Sequence, residues 1–273
     1  MQLLFLGSGS AHTVGADNFQ SNMMLIADSG RRLLIDCGSD IRWSLARQGL
    51  SHLDITDIYV SHLHADHIGG LEYVGFQTKF DQRCQRPRLF VEASLASPLW
   101  NRSLRGGMGI ISDAETQLET FFDVCRVAEN KPFDWEGIRL EPIATIHVFS
   151  PRATVHSYGL LIECNSHRTF LTTDTQFTPG RLADCYSSAD LIFHDCETGP
   201  TRTGVHPHYE DLVQLPDAVR GKTWLYGYPP GPLPNAPAAG FLGFVRAGQT
   251  FGLGRESDLA GSASAIRAST SSP

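Results

Sequence analysis

Residues 61–70 read Ser-His-Leu-His-Ala-Asp-His-Ile-Gly-Gly, so His62, His64, Asp66 and His67 crowd into six positions directly after the apolar run Ile58-Tyr59-Val60. No packing role calls for that density of ligands. A strand ending at Val60 hands the chain to a loop in which His62 and His64, two residues apart on near-extended backbone, project to the same side and can grip one metal ion. When the chain turns into a helix after His67, Asp66 and His67 point in a different direction and can reach a second ion. Imidazole suits zinc, iron and manganese, whereas three histidines with one carboxylate argue against calcium or magnesium, which prefer all-oxygen shells. The expected cofactor is therefore Zn2+, one ion or two, with Mn2+ or Fe as alternatives.

The cluster resembles the His-x-His-x-Asp-His signature of the metallo-β-lactamase superfamily. The opening Met1-Gln2-Leu3-Leu4-Phe5-Leu6-Gly7-Ser8-Gly9-Ser10-Ala11 and the segment Leu33-Leu34-Ile35-Asp36-Cys37-Gly38 are similar to its ribonuclease Z-like phosphodiesterase branch. That branch includes phage enzymes that degrade cyclic nucleotide signals. The likeness runs from Met1 to about Phe244 and is specific in the metal motif but loose in the substrate region. It implies an α/β fold, the αββα sandwich of two mixed β-sheets flanked by helices, with a binuclear metal site. Relatives in this branch are often homodimers.

A chain of 273 residues, 41% hydrophobic, can bury a full core as one domain, expected over 1–246. The end from Ser257 is rich in Ser, Ala and Thr, and 247–273 reads as a disordered tail. Neither a basic-then-apolar start nor a long apolar stretch signals export or membrane insertion, so a cytoplasmic protein is expected. The six cysteines are scattered without Cys-x-x-Cys pairing, which fits reduced thiols better than disulfides or a zinc ribbon. A formal net charge of −7 discourages long-range attraction of tRNA, because phosphate-backbone affinity comes from clustered lysine and arginine. A small anionic substrate remains acceptable, since bound metals supply local positive charge.

Hydrophobic patterning predicts strands over Gln2–Leu6, Asn22–Ala27, Arg32–Asp36, Ile58–Val60, Arg88–Val91, Asp123–Val127, Ile138–Ile146, Ser157–Glu163, Thr169–Thr173 and Leu191–Phe193, with a short one at Phe241–Val245. Ser39 offers an N-cap to a helix burying Ile41, Leu45 and Leu50, and helices are expected after Gly70 and over Tyr209–Leu215. Arg102-Ser103-Leu104-Arg105-Gly106-Gly107-Met108-Gly109 reads as an exposed loop or a basic lid.

His147 ends the strand Ile138–Ile146 and matches the superfamily's third histidine of site one. Asp174 ends the strand Thr169–Thr173 and matches the carboxylate that bridges both metals. Asp36 and Asp195 also end strands, and Asp36 is placed to brace a metal histidine. The departure comes at the final ligand: the branch has a histidine after its last core strand, whereas Trp224-Leu225-Tyr226-Gly227-Tyr228 places Gly227 there. Site two then keeps Asp66, His67 and Asp174, enough for zinc with a water in the fourth position. His206 and His208, in Gly204-Val205-His206-Pro207-His208, match a segment that gives the branch an active-site histidine, and the sequence leaves open which of them corresponds.

The resemblance implies a metal-dependent hydrolase, foremost a phosphodiesterase of a small or cyclic nucleotide, in which the metals activate water and stabilise developing charge. Asp66 would orient that water, and His206 or His208 would protonate the leaving oxygen. Transfer-RNA processing is disfavoured by the charge and by the lack of a Gly/Pro-rich insertion. Lactone or thioester hydrolysis is the enzymatic alternative. Loss of a ligand at Gly227 raises a third reading, a catalytically impaired metal-binding or sensing relative.

Overall fold

In β1, Gln2–Phe5, alternate side chains enter different cores: Leu3 and Phe5 pack to one side, Leu4 and the following Leu6 to the other, all without exposed surface. A strand buried on both faces must lie inside a layered fold. In the computed structural model, which describes residues 1–15 and 17–254, those layers are two seven-stranded mixed sheets with helices on their outer faces.

The first sheet joins β1, β2 (Met23–Ile26), β3 (Arg32–Ile35), β4 (Asp57–Val60) and β5 (Arg88–Glu92). After a small side hairpin of β6 (Ile110–Ile111) and β7 (Ala114–Glu115), β8 (Asp123–Val127) adds its edge. The second sheet holds β9 (Phe133–Trp135), β10 (Ile138–Ser150), β11 (Ala153–Cys164), β12 (His167–Leu171), β13 (Leu191–Asp195), β14 (Thr223–Tyr226) and β15 (Gly243–Phe244). From β3 through β8, and from β12 through β15, neighbours run parallel, while the others are antiparallel. Phe5, Tyr59, Leu160, Phe193 and Phe251 meet between the sheets. Each such fully buried side chain contributes about 1.5–3 kcal/mol.

Outside the first sheet, α1 (Ile41–Arg47) and α3 (Leu71–Phe80) bury Ile41, Leu45, Leu71 and Val74, with the single turn α2 (Ala65–Ile68) between them. Leu182, Tyr186 and Leu212 cover the outer face of the second sheet. These layers form the αββα sandwich. The N-cap of α1 is Asp40 rather than Ser39, whose hydroxyl instead donates to Gln20 Oε1 at 3.1 Å. Arg102 and Arg105, expected in a loop, stand exposed on a helical stretch running from a wide turn at Leu99–Leu104 into Arg105–Met108.

The expected boundary at 246 falls too early. A further strand, β16 (Thr250–Gly252), pairs antiparallel with β1 and closes the edge of the first sheet. Pairing with the first strand supplies the ordering that local composition does not reveal. The remainder of the expected tail, 255–273, lies outside the described residues.

Candidate metal centre

The candidate ligands come from a loop, a single helical turn, a strand bulge and a strand end that meet at one edge of the sandwich. His62 and His64 lie in the loop leaving β4, and Asp66 and His67 lie on α2. Gly38 lets this loop in: a Cβ there would fall on the carbonyl oxygen of Asp66. β10 does not stop before His147, as the sequence suggested, but runs on to Ser150. His147 sits where the pairing shifts between Ile146↔His156 and Val148↔Val155, and this bulge turns its imidazole inward. Asp174 follows β12 and directly succeeds Thr173, whose φ of 50° is left-handed.

Three imidazole nitrogens converge. His64 Nδ1 lies 3.1 Å from His62 Nε2 and 3.0 Å from His147 Nε2. The far nitrogens show what each imidazole presents. His147 Nδ1 donates to the Val205 carbonyl at 3.1 Å. His62 Nδ1 donates to Ser61 Oγ at 3.1 Å, whose own proton goes to Asp36 Oδ2 at 2.7 Å. Burial, aided by neighbouring imidazoles, pushes His62 well below its ordinary range. Burial likewise brings His147 down to about 4, although Asp174 opposes it. Both are neutral, so both offer lone pairs, and a proton on His64 can satisfy only one of them. A cation satisfies all three.

Asp174 Oδ2 lies at the middle of the cluster. It is 3.3 Å from His67 Nε2, 3.6 Å from His147 Nε2, and 3.9 Å from the Nε2 atoms of both His62 and His206. Burial works against its charge, yet His67 and the other imidazoles hold the carboxyl well below the usual range. His67 Nδ1 donates to Asp36 Oδ2 at 2.7 Å, leaving Nε2 buried, without a hydrogen-bond partner, and facing Asp66 Oδ2 at 3.1 Å. An orphaned imidazole nitrogen between two carboxylates fits a second cation. The residues present therefore suit the two-ion centre that the resemblance implies, in which His62, His64, His147 and Asp174 would hold one ion and Asp66, His67 and Asp174 the other.

The structure separates His206 from His208. His206 reaches the cluster, its Nδ1 donating to the fully buried Asp195 Oδ2 at 2.7 Å. Burial opposes its charge, but Asp195 and Asp174 prevail and raise it to about 10. His208 instead caps the helix Tyr209–Leu212: its Nδ1 accepts from Glu210 N at 3.3 Å and its Nε2 donates to the Gly199 carbonyl at 3.1 Å. Both His208 nitrogens thus engage backbone groups, whereas His206 faces the cluster. Asp195 was visible in sequence only as a strand end, and nothing local tied it to His206.

Gly227 does not hold an empty ligand position open for a side chain. Its φ is +80°, and a Cβ there would overlap Asp195 Oδ1, itself buried without a hydrogen-bond partner.

Residues 1–251 match the model of the anti-Pycsar protein Apyc1 family. The chain is 36% identical over 232 residues to the anti-Pycsar protein Apyc1 of Paenibacillus harenae, covering 84% of this chain and 90% of that protein. It is 32% identical over 242 residues to the Apyc1 of Bacillus phage vB_BveM-Goe7, covering 83% and 88%. Among solved structures, the metallo-β-lactamase fold protein YhfI of Bacillus subtilis superposes with a TM-score of 0.71 at 15% identity, over 92% of this chain and 98% of YhfI. A diphosphatase of the PhnP family does so with a TM-score of 0.64 at 20% identity, over 84% and 87%. The chain has the metallo-β-lactamase fold and belongs to the anti-Pycsar Apyc1 family.

Proposed function

We propose that this hydrolase is a metal-dependent phosphodiesterase acting on a small, cyclic nucleotide. The observation that carries the reading is Asp174 Oδ2 within 3.9 Å of four imidazoles, a convergence of donors that suits bound cations. The family supports the substrate class, since its phage members degrade cyclic nucleotide signals. When bound, divalent ions supply activated water and positive charge for the phosphate.

The protein's own residues do the rest. Asp66 lies at the edge of the cluster; burial disfavours its charge, but His67 beside it keeps the carboxyl below its usual range, so it can accept a hydrogen bond from water. His206, held by Asp195 and about one-fifth exposed, carries a proton on Nε2 toward the leaving ribose oxygen. The same proposal takes zinc as the ion, a homodimer as the assembly and the cytoplasm as the compartment. No described helix is long and apolar enough to cross a membrane.

The test combines elemental analysis with a panel of cyclic nucleotides, bis-nitrophenyl phosphate, lactones and thioesters. Two ions at the catalytic cluster and turnover of cyclic nucleotides support the proposal, and turnover confined to lactones or thioesters refutes it. Gly227 favours one competing reading, a metal-dependent binder, because no imidazole follows β14 to complete the second site. One ion at the catalytic cluster, nucleotide binding and no turnover would establish that reading instead.

A further inference from the structure

The β4–α2–α3 unit that carries the metal loop has a second group of donors at its base. His52 lies in the turn His52–Asp54 that precedes β4, and Asp81 and Cys84 lie in the turn that follows α3. One donor atom from each falls within 4.8 Å of the other two, and His52 Nε2 is 3.0 Å from Asp81 Oδ2. This is the N-terminal end of β4, and the catalytic cluster lies beyond its C-terminal end.

The donors are held in place. Ser51 and Asp54 cap the His52 turn reciprocally, and Cys84 N donates to the Asp81 carbonyl at 3.0 Å, closing the other turn. The side chains of His52 and Asp81 are only 13% and 17% exposed. Arg83 also engages Asp81, with Nε at 2.9 Å and Nη2 at 2.6 Å, but its side chain is 70% exposed and can swing into solvent. A cavity of about 450 Å³ lined by Leu53, Arg83, Cys84 and Arg86 opens beside the thiol, leaving room for water as a fourth ligand.

We propose that His52, Asp81 and Cys84 bind a borderline-soft divalent cation, Zn2+ or its analogue Co2+, clasping the two ends of the unit that bears the catalytic loop. One nitrogen, one carboxylate oxygen and one sulfur suit zinc and cobalt and exclude calcium and magnesium. On binding, the His52 proton moves from Nε2 to Nδ1, the Cys84 thiol proton passes to solvent, and Asp81 exchanges Arg83 for the cation.

Cobalt substitution tests this separately from catalysis, because none of the candidate ligands of the catalytic centre is a thiol. Co2+-loaded protein should show a near-ultraviolet thiolate-to-cobalt absorption band. Cys84→Ser should abolish it and lower the ion count by one per chain, and His52→Ala should weaken both. Because the site lies at the opposite end of β4 from the catalytic cluster, both variants should leave cyclic-nucleotide turnover within about twofold of the parent. Absence of the band from the parent protein, or its persistence in Cys84→Ser, overturns the proposal.

Discussion

Asp36 accepts the Nδ1 proton of His67 at 2.7 Å from a left-handed backbone conformation, φ 62°. Such a conformation costs a non-glycine residue about 1–2 kcal/mol. It persists because the carboxylate also takes the Ser61 amide at 2.8 Å and the Ser61 hydroxyl at 2.7 Å, so one side chain orients both ends of the metal loop. Asp36→Ala should therefore weaken the ion near His67 about 10–100-fold, as loss of a carboxylate behind a ligating imidazole does elsewhere. Metal titration of both proteins checks it, and unchanged affinity would show that Asp36 serves only the loop backbone.

His62→Ala or His64→Ala removes one of three converging nitrogens. Either change should release the ion nearest His147 and abolish hydrolysis, read by elemental analysis and nucleotide turnover. Activity like the parent's in either variant would refute the ligand assignment.

Asp174→Ala withdraws the carboxylate shared by four imidazoles. Both ions should be lost while far-ultraviolet circular dichroism stays near the parent's, because Asp174 follows β12 rather than packing in any hydrophobic core. Two ions retained per chain when the change is made in Cys84→Ser protein would show that Asp174 is not the bridge.

His206→Gln should divide substrates by leaving group. A ribose oxygen needs a proton and a nitrophenolate does not, so kcat for cyclic nucleotides should fall about 10²–10⁴-fold while bis-nitrophenyl phosphate is barely affected. Equal losses on both substrates would place His206 among the ligands instead.

Gly227→His would restore an imidazole where the wider branch carries one, but the local backbone opposes it. A left-handed φ and the collision with Asp195 Oδ1 should destabilise the protein by at least about 1 kcal/mol, with no tightening of either ion. Thermal melting and metal titration decide; a higher metal affinity at unchanged stability would mean that Asp195 moves aside.

The density of candidate ligands between His62 and His67 was legible because they fall within six consecutive positions on one strand-loop-helix passage, where local geometry alone forces them together. Apolar runs likewise located most strands of both sheets, and the order of strand ends pointed to His147 and Asp174. What the tertiary structure decided depends on contacts between distant segments. β16 is ordered by pairing with β1 at the other end of the chain. His206 faces the centre and His208 does not, because Asp195 at the end of β13 captures one imidazole while a helix start captures the other. The sequence by itself determined the chemistry, since residue types in a short span specify it. Only the tertiary structure decided which imidazoles share that chemistry, because orientation depends on hydrogen-bond partners 9 to 58 residues away.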